Sequence, residues 1–550
     1  RSDDHPDGTI REMEPLLPGY TRVTKAIVPD LNAFPFPERQ VVPFAELIHD
    51  RLSVEISRGC TRGCRFCQAG MIYRPVRERH PEAVLRHAEL GLRSTGYEEM
   101  SLLSLSSGDY SGLGPLLKVL MDKQERERIA VSLPSLRVDS LHSSWFEDLK
   151  RVRKTGFTLA PEAGNDRLRK ILNKGLTEEE ILFMAKEIYG AGWDLIKLYF
   201  MIGLPTEEDT DLEDLIRLAG KVAGVSKRRG KVHVSVAAFV PKSHTPFMWW
   251  PQVSIEESRR RIQFIQNSIR NPRIRVKWNQ PEMSWLEGVF ARGDRRLTAV
   301  LVEAWHMGAR FDAWSESFRL DVWQEAFRRT GVDPGFYLHR LRELSEVLPW
   351  DHIHCGVTKE YLEKEWKRAL QGEGTPDCRK GCLDCGVCDH KEVDPVLFPE
   401  WLPLSKEKGA APAEENGRVT KMRITFSKRG PAKYLSHLEL VRAFVRAFKR
   451  AEVSLVYSNG FHPMPKLSFG AALPVGTESL HETLEVQCRP SGPVGTIEDK
   501  LREQLPSGLE IKAIEVVDRD APCLPNKEIH YEISFDGVNV GEDRLERFLA

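Results

Sequence analysis

From about residue 51 to residue 245, short apolar runs alternate with longer segments of helical periodicity. The apolar runs occupy 53–57, 100–105, 128–133, 156–160, 195–202 and 232–240. Helical patterns such as Pro81–Thr95 and Thr177–Gly190 lie between them, and the second begins with a capping box, Thr177 to Glu180. Strands separated by helices predict right-handed βαβ units and a parallel sheet. The six units suit either a partial barrel, two units short of a (β/α)8 barrel, or a doubly wound sheet.

The rest of the chain divides by composition. Residues 1–50 contain several prolines and little periodicity, which predicts an extended linker from a missing upstream domain. The α/β core is expected over 51–253, and a helical, Cys-rich extension over 254–404. Small and polar residues at 405–417 predict a second linker, followed by an α+β domain over 418–550. The chain begins at Arg1 and ends inside an amphipathic run, so both ends are expected to be truncated.

Net charge, hydropathy and cysteine spacing limit the kinds of partner and compartment that the sequence suggests. Lys plus Arg equals Asp plus Glu, at 80 each, so net charge indicates no partner. No apolar run approaches the roughly 18–20 residues that span a bilayer, and no signal peptide is visible, so a membrane partner is not expected. Seven of the ten cysteines fall in two tight clusters. Such clusters are typical of metal ligands in a reducing compartment, which predicts a cytoplasmic protein.

The first cluster is Cys60, Cys64 and Cys67, spaced C-x3-C-x2-C directly after the first apolar run. Iron–sulfur clusters are usually held by four cysteines, so three thiolates would leave one iron of a 4Fe–4S cluster open to a small molecule. Phe66 can pack over such a cluster and exclude water. A zinc knuckle or three unrelated thiols are the alternatives, although a tetrahedral zinc site needs a fourth ligand and none lies nearby in the sequence.

This loop resembles that of the radical SAM superfamily. The resemblance implies that the open iron chelates the amino and carboxylate groups of S-adenosylmethionine. An electron from the cluster then cleaves the sulfonium to a 5′-deoxyadenosyl radical. It also implies a partial (β/α)6 barrel and an external low-potential electron donor, such as flavodoxin or ferredoxin.

The ends of four predicted strands resemble further motifs of that superfamily. Ligands of a parallel barrel bind at the carboxyl ends of its strands. The second run ends in a glycine-rich acidic motif, which implies contact with the methionine amino group through Ser107, Gly108 and Asp109. An ordinary Ser–Gly turn is the alternative for this segment.

The fourth run ends with Glu162 and Arg167, which implies contacts with ribose hydroxyls and the methionine carboxylate. Glu162 as a helix cap is the alternative. The fifth run ends in Gly203-Leu-Pro205, which resembles an adenine-binding turn. The sixth runs into 239–247, which resembles a closing segment of the same families.

A more specific resemblance covers most of the chain. Residues 55–79 and 292–296 resemble radical SAM proteins of the cobalamin-binding type, in which a cobalamin domain precedes the barrel. No Asp-x-His-x-x-Gly cobalamin loop occurs in 1–50, so cobalamin is implied by the resemblance alone. Residues 423–482 resemble a domain of unknown function linked to radical SAM proteins.

The second cluster is Cys378, Cys382, Cys385 and Cys388. Four thiols within eleven residues predict a metal site, either an auxiliary 4Fe–4S cluster or a structural zinc. The compact C-x3-C-x2-C-x2-C spacing resembles ferredoxin runs more than zinc ribbons, whose cysteine pairs are separated by a longer loop.

The C-terminal domain is locally basic. Residues 418–470 carry eleven Lys or Arg and two acids. The predicted helix 436–451 begins with a capping box, Ser436 and Glu439, and its predicted apolar stripe is Leu438, Val441, Val445 and Phe448. Arg442, Arg446 and Lys449 recur at helical spacing on another face, which suits a phosphate backbone and predicts an RNA partner. The loop at 458–466 contains Phe461 and His462, which could stack on an exposed base. A solvated helix and a packing loop are the alternative.

These patterns together predict a radical SAM enzyme. Its net reaction is expected to be methylation or a related modification of an unidentified substrate, with RNA as a candidate. A methylthiotransferase is one alternative, although it normally uses an auxiliary cluster held by three cysteines rather than four. A non-catalytic RNA-binding protein with two zinc sites is the other.

Overall fold

The structure is a computed structural model that describes residues 2–20, 22–45, 47–134, 136–140, 145–146, 157–226, 230–403, 419–459, 463–489 and 493–518. The chain forms two compact units, which consist of residues 1–39, 51–92 and 97–407 in the first and 40–50, 93–96 and 408–550 in the second. The predicted linker at 405–417 lies outside the described residues. None of the described helices is both long and apolar enough to cross a lipid bilayer.

The part of the chain before residue 404 alternates strands and helices. Its strands are β1 Ser2–Asp4, β2 Ile10–Met13, β3 Val23–Thr24, β4 Leu52–Glu55, β5 Ser57–Arg58, β6 Arg77–Glu78, β7 Glu99–Leu103, β8 Ala130–Ser132, β9 Phe157–Glu162, β10 Leu195–Ile202, β11 Lys231–Ala238, β12 Ile274–Trp278 and β13 Ile353–His354. Its helices are Gln68–Ile72, Pro81–Thr95, Leu113–Glu127, Asp166–Ile171, Glu178–Gly190, Asp209–Val225, Ile255–Ser268, Pro281–Arg292, Leu297–His306, Leu320–Thr330, Pro334–Leu338 and Lys359–Leu370.

Two parallel sheets form the centre of the first unit. One has the order β4-β7-β8 and the other the order β9-β10-β11-β12. Along β10, Ile196, Leu198, Phe200 and Ile202 are buried, with partly or fully exposed residues between them. The α/β class and the parallel strands are therefore confirmed, and the capping box at Thr177 and Glu180 is present.

The two central sheets contain seven parallel strands among the described residues, one more than the sequence predicts. The additional strand, β12, pairs with β11 inside the segment predicted to be mainly helical. It lies at the edge of its sheet, and its sequence Ile-Arg-Val-Lys-Trp alternates apolar and charged side chains without a fully buried residue. A short edge strand of this kind lacks the continuous apolar run that marks the buried strands.

The first fifty residues are not simply an extended linker. β3 pairs with β13, more than three hundred residues later in the chain. Leu31 is fully buried, and its carbonyl accepts a hydrogen bond from Arg79 at 2.7 Å. Lys25 Nζ donates to the carbonyl of Arg74 at 3.2 Å. These contacts are made with distant residues, so local periodicity gave no sign of them.

The second unit contains a mixed sheet-and-helix fold, as predicted for the C-terminal domain. Its strands are antiparallel in the order β15-β17-β14-β18, with β16 also paired to β17. They are β14 Thr420–Lys428, β15 Ser454–Leu455, β16 Leu467–Phe469, β17 Ser479–Arg489 and β18 Leu509–Val517, and the helices are His437–Arg450 and Val494–Gln504.

The predicted capping box at Ser436 and Glu439 begins the first of these helices. The predicted apolar stripe of this helix, Leu438, Val441, Val445 and Phe448, is wrong at its first member. Leu438 is 65% exposed, and the core contains Val445 and Phe448 of the predicted stripe together with Leu440 and Phe444. Leu440 takes the place of Leu438, because residues 440, 444 and 448 recur at the spacing of one helical face.

Candidate metal centre and cofactor site

The first cysteine loop follows β4 and β5, at the carboxyl end of the first parallel strand. Gly59 has a φ of +92°, and a Cβ atom there would lie 2.3 Å from the carbonyl oxygen of Pro75. Only glycine allows this approach. Cys67 caps the helix Gln68–Ile72, with its Sγ accepting from the main-chain N–H of Gly70 at 3.3 Å. The three cysteines are thus presented by a tightly folded turn.

The three thiols form a donor set that suits an iron–sulfur cluster. Burial and the neighbouring Cys64 thiol raise the pKa of Cys60 to about 12, and burial raises the pKa of Cys67. Crowded thiolates in such a place need a compensating cation, which bound iron supplies. In the described ranges, no group of three His, Cys, Asp or Glu side chains is placed to hold one metal ion. A cubane cluster does not require that, because each thiolate ligates its own iron.

Two arginines place positive charge near the three cysteines. Arg137 Nη1 lies 3.5 Å from the Sγ of Cys64. Arg62, within the loop, donates to Asp139 at 2.7 Å and through Nε to Asp109 at 2.9 Å. Arg137 is not among the predicted site residues, although it follows the third apolar run and therefore lies near the carboxyl end of a predicted strand. Cations beside the thiols stabilise a negatively charged cluster.

The glycine-rich acidic motif lies beside the loop as a 3-10 turn, Ser107–Asp109, after β7. Gly108 permits close packing, because a Cβ atom there would lie 2.1 Å from Ser140 Oγ. Ser107 is buried and donates to the carbonyl of Leu102 at 3.0 Å, which is a structural contact. Asp109 accepts from Arg62 and from Ser106 Oγ at 2.6 Å. Its carboxylate is therefore already held by side chains of the protein.

Glu162 also belongs to the surroundings of the loop. It ends β9 with a φ of +69°, and its carboxylate accepts from Lys174 at 3.0 Å. Lys174 Nζ lies 5.9 Å from the ring centroid of Phe66, the aromatic residue inside the cysteine loop. The cap of the following helix is Asn165, which accepts from the main-chain N–H of Leu168. The alternative reading of Glu162 as that cap is therefore wrong.

Arg167 has a different set of partners. Its guanidinium donates to Thr206 Oγ1 at 3.1 Å and pairs with Asp211, and 47% of the side chain is exposed. The carboxylate that it meets in this structure is a protein side chain. A contact of Arg167 with S-adenosylmethionine remains a prediction.

The Gly-Leu-Pro turn follows β10. Gly203 has a φ of +80° and donates its main-chain N–H to Glu207 at 2.5 Å. Pro205 is buried. Burial raises the pKa of Glu207 to about 7, although the Gly203 N–H and the paired Arg261 both oppose that increase. The turn is thus fixed by a buried carboxyl group that the sequence analysis did not single out.

The second cysteine motif packs directly on the first loop, within the same unit. The main-chain N–H of Cys378 donates to the carbonyl of Thr61 at 3.0 Å. Asp377 accepts from Thr61 Oγ1 at 3.0 Å, and Arg379 donates to Asp109 at 3.2 Å. Asp109 therefore contacts arginines from both cysteine motifs. No local pattern in the sequence indicated this proximity.

Two further residues attach the first loop to the segment that leads into the second motif. Arg65 is fully buried and pairs with Glu365 at 3.0 Å. Asn173 donates to the carbonyl of Gly63 at 3.1 Å and accepts from the main-chain N–H of Thr375 at 2.8 Å. A small cavity beside Cys60 is lined by residues of both motifs and by the acidic turn.

The predicted RNA-binding face is not open at Arg446. This residue is only 9% exposed and donates to both carboxylate oxygens of Asp50 at 2.6 Å. The prediction that Arg446 faces a phosphate backbone is therefore wrong, because an acidic residue distant in the sequence already neutralises it. Phe461 and His462 lie outside the described residues.

Two family profiles match the chain. The Radical SAM superfamily matches residues 54–219, and the family described as "Uncharacterized protein conserved in bacteria (DUF2344)" matches residues 421–549. The first match contains the Cys60 loop, the acidic turn and the turn at Gly203. The second agrees with the predicted C-terminal domain of unknown function.

The curated relatives include an uncharacterized protein of Methanocaldococcus jannaschii, 36% identical over 256 residues, which are 45% of this chain and 53% of that one. A tRNA-2-methylthio-N(6)-dimethylallyladenosine synthase of Cereibacter sphaeroides is 31% identical over 215 residues, 37% of this chain and 47% of that one. The chain spans about half the length of these relatives.

Solved structures with a weaker likeness include the radical S-adenosylmethionine methyltransferase TsrM from Kitasatospora setae. Its TM-score is 0.29 at 13% identity, over 34% of this chain and 36% of that one. The cobalamin-dependent S-adenosylmethionine radical enzyme OxsB has a TM-score of 0.30 at 13% identity, over 58% of this chain and 54% of that one. The family match and the enzymes among the relatives support the prediction of a radical SAM enzyme. The chain carries a radical SAM superfamily domain at residues 54–219 and a DUF2344 domain at residues 421–549.

Proposed function

We propose that this protein binds a 4Fe–4S cluster through Cys60, Cys64 and Cys67 and cleaves S-adenosylmethionine reductively. The observation that supports this proposal most strongly is the three-cysteine loop at the carboxyl end of β4. Asp109 and Glu162 lie near this loop through their contacts with Arg62 and Lys174. When bound, the cluster supplies the electron that splits the sulfonium into methionine and a 5′-deoxyadenosyl radical. Cofactors carry such chemistry, and the protein positions them and excludes water.

The residues around the loop have distinct tasks in this proposal. Arg137 and Lys174 place positive charge near the thiolates and near Phe66. Asp109 and Glu162 offer carboxylates for the amino group and ribose hydroxyls of the cofactor, in exchange for part of their present pairing with Arg62 and Lys174. Gly203 and Pro205 would form the adenine side of the site.

For the net reaction we propose methylation or a related modification, with RNA as the substrate class to test first. The named tRNA methylthiotransferases among the relatives support that choice. Sulfur insertion of the methylthiotransferase type is the second candidate. The contact between the two cysteine motifs favours it, whereas the four cysteines of the second motif exceed the three that such an enzyme normally uses. Cobalamin enters this proposal only through the resemblance to the cobalamin-binding type.

Cys378, Cys382, Cys385 and Cys388 are proposed to contribute a second metal centre. An iron–sulfur cluster is preferred because of the compact spacing, and a four-thiolate zinc site is the alternative. The Thr61 and Asp109 contacts place this motif against the first loop rather than on a remote surface.

The test is iron and zinc counting, with Mössbauer spectroscopy, on anaerobically reconstituted protein. The parent is compared with a Cys60/Cys64/Cys67 triple Ala variant, and 5′-deoxyadenosine is measured with a flavodoxin or ferredoxin donor. We expect about eight irons in the parent and about four in the variant, which should form no 5′-deoxyadenosine. Iron-free parent protein would leave the non-catalytic RNA-binding metalloprotein as the better explanation.

A further inference from the structure

A second cavity of the first unit contains no residue of either cysteine motif. Its wall includes the backbone turn at residues 8–10 and two aromatic rings. The charged side chains that line it are Asp294, Arg296, Arg340, Arg342 and Glu346, all within the same unit. Three guanidinium groups therefore meet at one small cavity.

Two of these arginines have carboxylate partners. Arg340 donates to both oxygens of Glu346, at 2.5 and 2.6 Å, and Arg296 Nε donates to Asp294 at 3.0 Å. The ring of Phe336 packs against both arginines, with its centroid 4.4 Å from the guanidinium carbon of Arg340 and 5.2 Å from that of Arg296. Pairing with a carboxylate and stacking on a shared ring fix the orientation of both guanidinium planes.

Arg342 differs from the other two. It is 3% exposed, its Nη2 donates to the carbonyl of Arg292 at 2.7 Å, and its guanidinium carbon lies 5.2 Å from the ring centroid of Trp350. In the described part of the chain, its buried Nε and Nη1 have no hydrogen-bond acceptor. Buried donors are nearly always satisfied in native proteins. These two nitrogens therefore indicate an acceptor that is not a group of the protein.

The charges around the cavity do not balance. Arg292 is fully buried beside Arg342, and its guanidinium donates to main-chain carbonyls. Burial and the neighbouring Arg342 and Arg340 lower the pKa of Arg292. Among the described residues, the carboxylates that form ion pairs with these four arginines are Asp294 and Glu346. Two buried positive charges are thus left without a carboxylate partner.

We infer that this cavity binds a phosphate group through Arg296, Arg340 and Arg342, at a site separate from the proposed cluster chemistry. A phosphate monoester carries a charge of about −1.5 to −2 at pH 7, which matches two unpaired guanidinium groups, whereas a carboxylate carries a single charge. Planar guanidinium donors also fit the oxygens of such an anion. The phosphate group could belong to free phosphate or to the terminal phosphate of a nucleotide.

Calorimetric titration of the reconstituted full chain with inorganic phosphate, at constant ionic strength in chloride, tests the inference. We expect saturable binding by the parent, and an affinity at least about tenfold lower in Arg342→Gln, as for the loss of one charge-assisted hydrogen bond. The matched control is Arg310→Gln, because Arg310 also stacks on a tryptophan, Trp305 at 4.7 Å, but is exposed. It should bind phosphate as the parent does. A parent that binds no phosphate would overturn the inference.

A second variant decides the question if circular dichroism shows that Arg342→Gln does not fold. The Arg340 side chain is 28% exposed, so its substitution disturbs the core less. Arg340→Gln also leaves the carboxylate of Glu346 unpaired at the cavity, where it repels an anion. We expect phosphate affinity to fall by at least about tenfold in this variant too. Unchanged affinity in a folded variant of either arginine would contradict the assignment.

Two further probes identify the class of ligand. Uridine 5′-monophosphate avoids the predicted adenine turn, and tighter binding of this nucleotide than of phosphate, lost in Arg342→Gln, would identify a terminal nucleotide phosphate. Equal or weaker binding would identify free phosphate. Acetate should bind at least about tenfold more weakly than phosphate, because it carries a single charge. Acetate that binds as tightly as phosphate would overturn the phosphate assignment.

Discussion

The main-chain N–H of Cys378 donates to the carbonyl of Thr61 at 3.0 Å, which joins the two cysteine motifs by one hydrogen bond. Thr61 is the residue directly after Cys60, so the bond reaches the backbone of the first loop itself. Asp377 and Arg379 reinforce it through Thr61 and Asp109. A substitution that breaks these hydrogen bonds in one motif should therefore alter the backbone position of the other.

Cys64→Ala should remove 5′-deoxyadenosine formation while leaving the secondary structure intact. Loss of one of three ligands opens a second iron and destabilises the cluster. The measurement is chromatographic detection of 5′-deoxyadenosine after reduction, with circular dichroism as the check on folding. Cys488→Ala, a buried cysteine of the other unit, serves as the control and should keep the activity. Retained cleavage in Cys64→Ala would refute the cluster assignment.

Arg65→Met should lower the free energy of unfolding of the first unit by about 3 kcal/mol, since it leaves the buried Glu365 with only the partly exposed Arg368 as a cationic partner, at 3.4 Å. Both side chains of this pair are almost completely inaccessible, at 0% and 1%. Denaturant unfolding followed by tryptophan fluorescence measures the change. The double variant Arg65→Met, Glu365→Leu should recover much of the loss.

The control for that prediction is Arg328→Ala, which removes an exposed pair with Glu325. Surface pairs contribute little to stability, so no clear change is expected. If Arg65→Met behaves like this surface variant, the buried pair does not fasten the cysteine loop to the helix Lys359–Leu370.

Gly59→Ala should reduce the iron content of the reconstituted protein. The new Cβ atom would meet the backbone of Pro75, which cannot move aside as a flexible side chain could. Gly19→Ala is the matched control, because Gly19 has a similar φ of +86° and no atom within 4 Å of the added Cβ. Both variants carry a backbone strain of about 1–3 kcal/mol, but only Gly59→Ala should lose iron. Equal iron contents would contradict the role of the close approach.

Glu207→Gln should change how stability depends on pH. The pKa of Glu207 rises from 4.5 to about 7 on folding, so the folded state binds more protons between these values. Its contribution to stability is therefore complete below pH 4.5 and is lost as the pH rises through 7. From about pH 4 to about pH 8, the unfolding free energy of the parent should therefore fall by about 3 kcal/mol relative to that of the Glu207→Gln variant.

Thermal or denaturant unfolding across this pH range measures that difference. Glu213→Gln, an exposed position on the neighbouring helix Asp209–Val225, should give a profile parallel to that of the parent. A Glu207→Gln profile that also stays parallel would mean that Arg261 keeps the carboxylate ionised.

Arg446 belongs to a largely buried ion pair, so its substitution tests stability rather than RNA binding. Arg446→Ala should destabilise the second unit by about 1–3 kcal/mol, because it removes charged hydrogen bonds to Asp50.

Arg442→Glu combined with Lys449→Glu should weaken RNA binding and flatten its salt dependence. Filter binding at two salt concentrations measures this effect. Unchanged binding in the double variant would leave this helix without a role in RNA recognition.

The sequence by itself determined the local features of this protein. The spacing of Cys60, Cys64 and Cys67, the alternation of strands and helices, and the capping boxes at Thr177 and Ser436 depend on neighbouring residues, and each is present in the structure. Asp109 follows β7 and Glu162 ends β9, and both lie near the Cys60 loop, as expected for the carboxyl ends of parallel strands. Their contact with S-adenosylmethionine stays a prediction.

Only the tertiary structure decided which of these features meet. The folded chain has the additional edge strand β12 and pairs β3 with β13. It also pairs Arg167 with Asp211 and Arg446 with Asp50. It places Cys378 against Thr61 and leaves Cys382 exposed. Periodicity and ligand spacing report on residues a few positions apart, whereas these contacts join segments that only the packing of the folded chain brings together.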